Sequence, residues 1–113
     1  MIDENKLDSK FVESTCMEII CNAGEGRAHV YEALEHCLKE EYESALESLN
    51  EAETYLQQAH NAQFSKLMKS QLDGKDLPFN IIILHAMDLL MVATAERDML
   101  KRIIMSKISG GNK

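Results

Sequence analysis

From about Lys10 to Leu38, the apolar residues Val12, Cys16, Ile19, Ala23, Val30, Leu34 and Cys37 recur at helical spacing and predict one long helix. The polar break Lys39-Glu40-Glu41-Tyr42 ends it. A second helix is expected from Tyr42 or Glu43 to Leu72, with the stripe Tyr42, Ala45, Leu49, Ala52, Leu56 and Ala59. That alternation of threes and fours is the seam of a bundle or coiled coil. Glu43, Glu47, Asn50, Glu51 and Gln57 form the opposite, solvated face. Asp73-Gly74-Lys75-Asp76-Leu77-Pro78 reads as a loop, with Gly74 just past the helix end and Pro78 or its neighbour opening the next helix. The third helix is expected from about Phe79 to Met105 or Ile108.

Two short connections between three long helices predict an all-α chain, an antiparallel up-down-up three-helix bundle. The single domain spans 10–108, between a flexible N-terminus at 1–9 and a flexible C-terminus at 109–113. Gly24 and Gly26 interrupt the first helix, each costing ~1 kcal/mol relative to Ala. They serve either a bend or the close approach of another backbone.

The third helix departs from simple amphipathicity. Ile81, Ile82, Ile83, Leu84, Met87, Leu89, Leu90, Met91 and Val92 cover nearly its whole circumference. Two partner helices in so short a chain leave some of that surface uncovered, and large exposed apolar patches are rare on monomers. Cyclic self-association is the expected remedy. The run is too short for a membrane span, and His85 and Asp88 interrupt it.

Composition sharpens the picture. The chain has 113 residues, one Pro and no Trp, and a net charge of −7. An acidic chain without a basic stripe is ill suited to nucleic acid. Cys16, Cys21 and Cys37 form neither a CxxC pair nor an even set, so free thiols are expected. The charged N-terminus has no apolar core of the signal-peptide kind, and a cytoplasmic location is expected.

Candidate chemistry centres on His85, with Asp88 three residues on and so on the same helix face. A neutral imidazole offers a nitrogen lone pair near neutral pH and needs no strong base to capture a phosphoryl group. Its other nitrogen needs an acceptor, for which the Ile81 carbonyl one turn back is a candidate. No Gly-rich phosphate loop is present, so the group would come from another protein rather than from a nucleotide. Asp88 lies within the surplus apolar surface. Copies converging on a rotation axis would call for a divalent cation, whereas a lone Asp88 would face a water-lined groove. His60 and Gln63 place polar groups in the second helix's seam, either at its edge or as part of a site. His29 and His36, seven residues apart near Glu25 and Glu32, lack an HExxH pattern and read as a solvated face rather than a zinc site.

The segment His85-Ala86-Met87-Asp88-Leu89-Leu90-Met91 resembles the HAQDHLM signature of the lactose/cellobiose-type enzyme IIA component of the bacterial sugar phosphotransferase system (PTS). The resemblance runs from about Glu18 to Met105. It takes in Ile19-Ile20-Cys21-Asn22-Ala23-Gly24 with Arg27, and Glu51-Ala52 and Ala59-His60-Asn61-Ala62-Gln63. It implies a homotrimer in which His85 accepts a phosphoryl group from HPr and hands it to a cysteine of a IIB component during sugar uptake. The membrane is met only indirectly, through the IIC component. Asp88 is implied at the trimer axis with a divalent metal, Mg2+. Met87 and Leu89 stand where the signature has Gln and His, which removes two hydrogen-bond donors at a cost of ~1–3 kcal/mol each. The implied alternatives are other donors such as His60 or Gln63, or a non-catalytic regulatory or binding relative with the same fold.

Overall fold

The computed structural model describes residues 7–77 and 80–110. The expectations for both chain ends fall partly, and that for Pro78 and Phe79 wholly, outside these residues. The order is α1 (Ser9–Leu38), α2 (Tyr42–Ala62), a π-helical segment (Gln63–Met68), the single turn α3 (Lys69–Leu72) and α4 (Ile81–Gly110). α2, the π segment and α3 follow without a break, so the expected second helix runs its full length to Leu72 but is wound differently in its last third. α4 continues two residues past Ile108.

The helix ends follow from local chemistry. Asp8 caps α1, its side chain accepting from the Lys10 N–H at 3.2 Å. The α1 end closes with Glu40 N–H donating to the Cys37 carbonyl and Glu41 N–H to the His36 carbonyl, which puts Glu40 at φ 61°. The α3 end repeats the motif, with Gly74 at φ 92° and Lys75 N–H donating to the Ser70 carbonyl. Asn80 opens α4 by accepting the Ile82 N–H on its side chain at 3.0 Å.

Each long helix buries a stripe. α1 buries Val12, Cys16, Ile19, Ala23, Gly26, Val30 and Ala33. Ala33 replaces the expected Leu34, which is partly exposed beside α4. α2 buries Ala45, Leu49, Ala52, Leu56 and Ala59 as the pattern predicts. α4 buries Ile83, Ala86, Leu90, Ala93, Leu100 and Ile104. The buried side chains form two clusters along the bundle. One gathers Val12, Ile19, Leu56, Leu67, Ile83 and Leu90, and the other Val30, Leu49, Leu100 and Ile104.

Gly26 resolves the choice left open in the sequence. A Cβ there would lie 2.8 Å from Cγ and Cδ2 of Leu56 and 3.3 Å from the Ala52 carbonyl oxygen, so this glycine lets α1 and α2 approach. Gly24 faces open space.

Polar contacts give the register. Lys66 of the π segment donates to Glu18 of α1 at 2.9 Å, and Ser48 of α2 to Glu32 of α1 at 3.2 Å. Lys101 of α4 meets Glu53 of α2 at 2.8 Å, and Arg27 of α1 meets Glu96 of α4 at 2.7 Å. No helix among the described residues is long and apolar enough to cross a membrane.

Candidate functional site

α4 exposes a broad apolar surface in the single chain. Ile81 is 79% exposed, Met91 69% and Met99 68%, and Leu84, Val92 and Ile103 are about half exposed. Ile81, Leu84, Met91 and Val92 belong to the surplus the sequence anticipates, and Met99 and Ile103 extend it into a half of the helix expected to be simply amphipathic. His85 and Asp88 are both exposed within this surface. Neither ring nitrogen of His85 has a hydrogen-bond partner among the described residues, the Ile81 carbonyl included. Asp88 likewise has no partner in its own chain among them. The two polar groups stand about one turn apart on otherwise greasy ground.

The flanks of this surface are chemically distinct. On the α2 flank, Gln63 donates to the Met87 sulfur at 2.7 Å, and His60 Nε2 lies 3.1 Å from the Thr94 hydroxyl. His60 and Gln63 therefore both contact α4, Gln63 at the height of the signature and His60 about one turn beyond its end. Their partners are Met87 and Thr94 rather than His85. On the α1 flank, Arg27 grips Glu96 through Nε and Nη2 at 2.7 and 3.1 Å, with the Tyr31 hydroxyl donating at 3.5 Å. The guanidinium also sits 5.3 Å from the Tyr31 ring centroid. Its pKa is raised, chiefly by the Glu96 hydrogen bond. Eleven residues separate His85 from Glu96, about three full turns, so His85 lies on this α1 flank.

Residues 14–107 match the family described as PTS system, Lactose/Cellobiose specific IIA subunit. The chain belongs to this IIA family. The lactose-specific EIIA component of Streptococcus mutans serotype c is 33% identical over 87 residues, which is 77% of this chain and 83% of that protein. The lichenan-specific phosphotransferase enzyme IIA component of Bacillus subtilis is 30% identical over 93 residues, 82% of this chain and 84% of that one. The crystal structure of PtcA from S. mutans superposes with a TM-score of 0.84 at 29% identity, covering 88% of this chain and 96% of that chain. As a IIA-family member, this chain is a component of a sugar phosphotransferase system.

Within that IIA frame, Met87 and Leu89 are half-buried and present no hydrogen-bond donor beside His85. The two histidines set against a zinc reading are less solvated than expected. His29 stacks on Tyr55 at 5.3 Å between centroids, with Glu51 and Glu32 at 3.2 and 3.5 Å from Nδ1. His36 Nδ1 lies 2.9 Å from Glu41 at the α1 end. Among the described residues no group of three His, Cys, Asp or Glu side chains is arranged to hold a metal.

Sequence reasoning missed two polar clusters. One is the Arg27–Glu96–Tyr31 clasp, in which Arg27 stood out only through the resemblance. The other is an open pocket between α1 and α2 lined by Glu18, Asn22, Gln58, Asn61, Ser65 and Lys66. Their partners are 48 to 69 residues apart, and no local period connects them. The three cysteines are free as expected, Cys16 buried, Cys37 half-buried and Cys21 exposed.

Proposed function

We propose that this IIA-family chain is a phosphocarrier that receives a phosphoryl group from HPr on His85 and passes it to a IIB component during uptake of a lactose-, cellobiose- or chitobiose-type sugar. The observation that carries this reading is the exposed His85 ring, with both nitrogens free, on the apolar face that α1 and α2 leave uncovered. One imidazole nitrogen attacks the phosphorus carried by the donor's histidine. The donor's P–N bond breaks, and its electron pair stays on the departing imidazole. A cysteine thiolate of the IIB component then attacks the same phosphorus, and the His85–phosphorus bond breaks in turn. Exposure of His85 supports such an exchange, since each partner must reach the ring in line.

The same reading holds that the bundle runs up-down-up, which the Glu18–Lys66, Glu53–Lys101 and Arg27–Glu96 pairings support. It also holds that three chains join through the exposed α4 face in the cytoplasm, with the membrane reached only through a IIC component. Asp88 has the donor chemistry for a hard divalent cation such as Mg2+, but one chain offers a single carboxylate there. Only copies meeting at an axis would assemble a ligand set, and the cation would then offset the repulsion among their charges. His60 and Gln63 are held by Thr94 and Met87 on the flank away from their own His85. Any support they lend to a phosphoryl group is therefore given to a neighbouring copy's histidine.

A second reading, a non-catalytic regulatory trimer, draws on Met87 and Leu89. The Met87 sulfur absorbs the Gln63 donor, and neither side chain offers one of its own. Incubation with enzyme I, HPr and phosphoenolpyruvate separates the two. The phosphocarrier takes up one acid-labile phosphate per chain, and His85→Ala takes up none. Labelling of His85→Ala at the parent's level refutes the assignment. A stable, unlabelled parent trimer favours the regulatory relative.

A further inference from the structure

The most exposed phenylalanine among the described residues lies close to this surface. Phe64 is 59% exposed, in the π segment one turn from His60. Met68, also about half exposed, follows one turn later. Both lie on the α2 flank of the α4 face, because Gln63 and His60 beside them contact Met87 and Thr94. The Gln63–Met87 contact also fixes the height of Phe64 along the bundle. His85 is two residues from Met87, a rise of about 3 Å, so the two rings stand at nearly the same level. They are nevertheless kept apart within one chain, because His85 lies on the α1 flank.

We infer that Phe64 of one copy walls the His85 site of the next copy. The inference rests on the trimeric reading above. A closed three-fold ring is built from heterologous contacts, in which the two sides of the joint are different surfaces. With the α4 faces gathered at the axis, the α1 flank of each chain meets the α2 flank of its neighbour. Rotation about the axis leaves height unchanged. The neighbour's Phe64 therefore arrives beside His85, and Met68 extends the same apolar edge. The π winding takes part in this placement. It buries both Ala62 and Leu67, five residues apart, and leaves Phe64 and Met68 on the outer flank.

Chemically, an apolar ring beside the imidazole suits this site. A phosphohistidine is lost when water attacks phosphorus, the P–N bond breaks, and the imidazole recovers a proton as inorganic phosphate departs. A ring on one side of the phosphoryl group removes part of that water, while the open side stays available to partner proteins. Phe64 is thus a wall of the site and takes no part in bond making.

The test uses the full chain carrying Cys21→Ser and Cys37→Ser, with Phe64→Cys and His85→Cys together, and a short bis-maleimide. Covalent two- and three-chain species are expected, and either cysteine variant alone gives far fewer. Light scattering on the same sample keeps the failures apart. A trimer that does not cross-link overturns the wall and leaves the trimeric reading standing. A monomer overturns both. In the second arm, Phe64→Ala in the otherwise unaltered chain is phosphorylated through HPr and freed of donor. A several-fold shorter phosphohistidine lifetime in an intact trimer supports the wall, and an unchanged lifetime overturns its role against water. A cross-linking trimer whose parent takes no phosphoryl group keeps the contact and refutes the carrier reading.

Discussion

Gly24 and Gly26 sit two residues apart in α1, and alanine at each should move stability in opposite directions. Gly24 is exposed, with nothing within 4 Å of its would-be Cβ. Removing a helix-interior glycine there should gain about 0.5–1 kcal/mol. Gly26→Ala has the same propensity gain of ~1 kcal/mol, but its Cβ would lie 2.8 Å from two carbons of Leu56. One of these is Cγ, at the root of the side chain's fork, and Leu56 is fully buried. The Ala52 carbonyl oxygen at 3.3 Å, also on α2, adds a backbone contact that cannot rotate aside. Overpacking of this kind costs ~1–3 kcal/mol, so Gly26→Ala should lose about 0–2 kcal/mol net. The two variants should differ by about 1–3 kcal/mol. For a domain of this size each kcal/mol shifts the melting temperature by about 4–8 °C. Urea and thermal unfolding at one fixed protein concentration are the assay, since the proposed self-association would make both depend on concentration. Equal stabilisation by the two alanines would refute the close approach of α1 and α2 at this point.

Other expectations follow from single contacts. Glu40 holds a left-handed backbone that costs a side-chain-bearing residue ~1–2 kcal/mol, so Glu40→Gly should stabilise by about 0.5–1 kcal/mol in urea unfolding. Alkylation should label Cys21 first and spare buried Cys16 until the chain unfolds, as read by peptide mass spectrometry. Burial raises the Cys16 thiol, so the folded form binds a proton that the unfolded form releases more readily. Its contribution to stability is complete below the ordinary thiol range and declines as pH climbs through it, a loss that unfolding in Cys16→Ala should not reproduce. If the proposed trimer brings its Asp88 side chains together, Asp88→Leu should keep or raise assembly, because apolar packing would replace a cluster of charges, and light scattering that returned a monomer would contradict this.

The sequence made the helices legible because each buried stripe is local and periodic. The α2 stripe from Ala45 to Ala59 is buried along its whole length. Where two neighbouring apolar residues competed, the pattern favoured Leu34, whereas the packed helices bury Ala33 and leave Leu34 partly exposed. The polar pair His60 and Gln63 was visible as an anomaly, and counting back from the Asp73–Pro78 loop puts Gln63 near the height of Asp88, in keeping with its contact to Met87. The π winding was not visible, because Gln63 to Met68 carries no residue that dictates it. Clasps such as Arg27–Glu96 depend on the mutual placement of distant helices and have no local trace. The location of His85 and Asp88 on an uncovered face was legible for a different reason: the excess of apolar residues around α4 exceeds what two helices can cover.

The division of the interior into two packed blocks has its own consequence. Val30, Leu49, Leu100 and Ile104 hold one end of the rod, while Ile19, Leu56, Ile83 and Leu90 hold the end that bears His85. Such blocks can open as separate cooperative units. On that basis the end remote from the imidazole would open without disturbing the packing beneath His85. On the phosphocarrier reading, the ground of exchange then need not move with it.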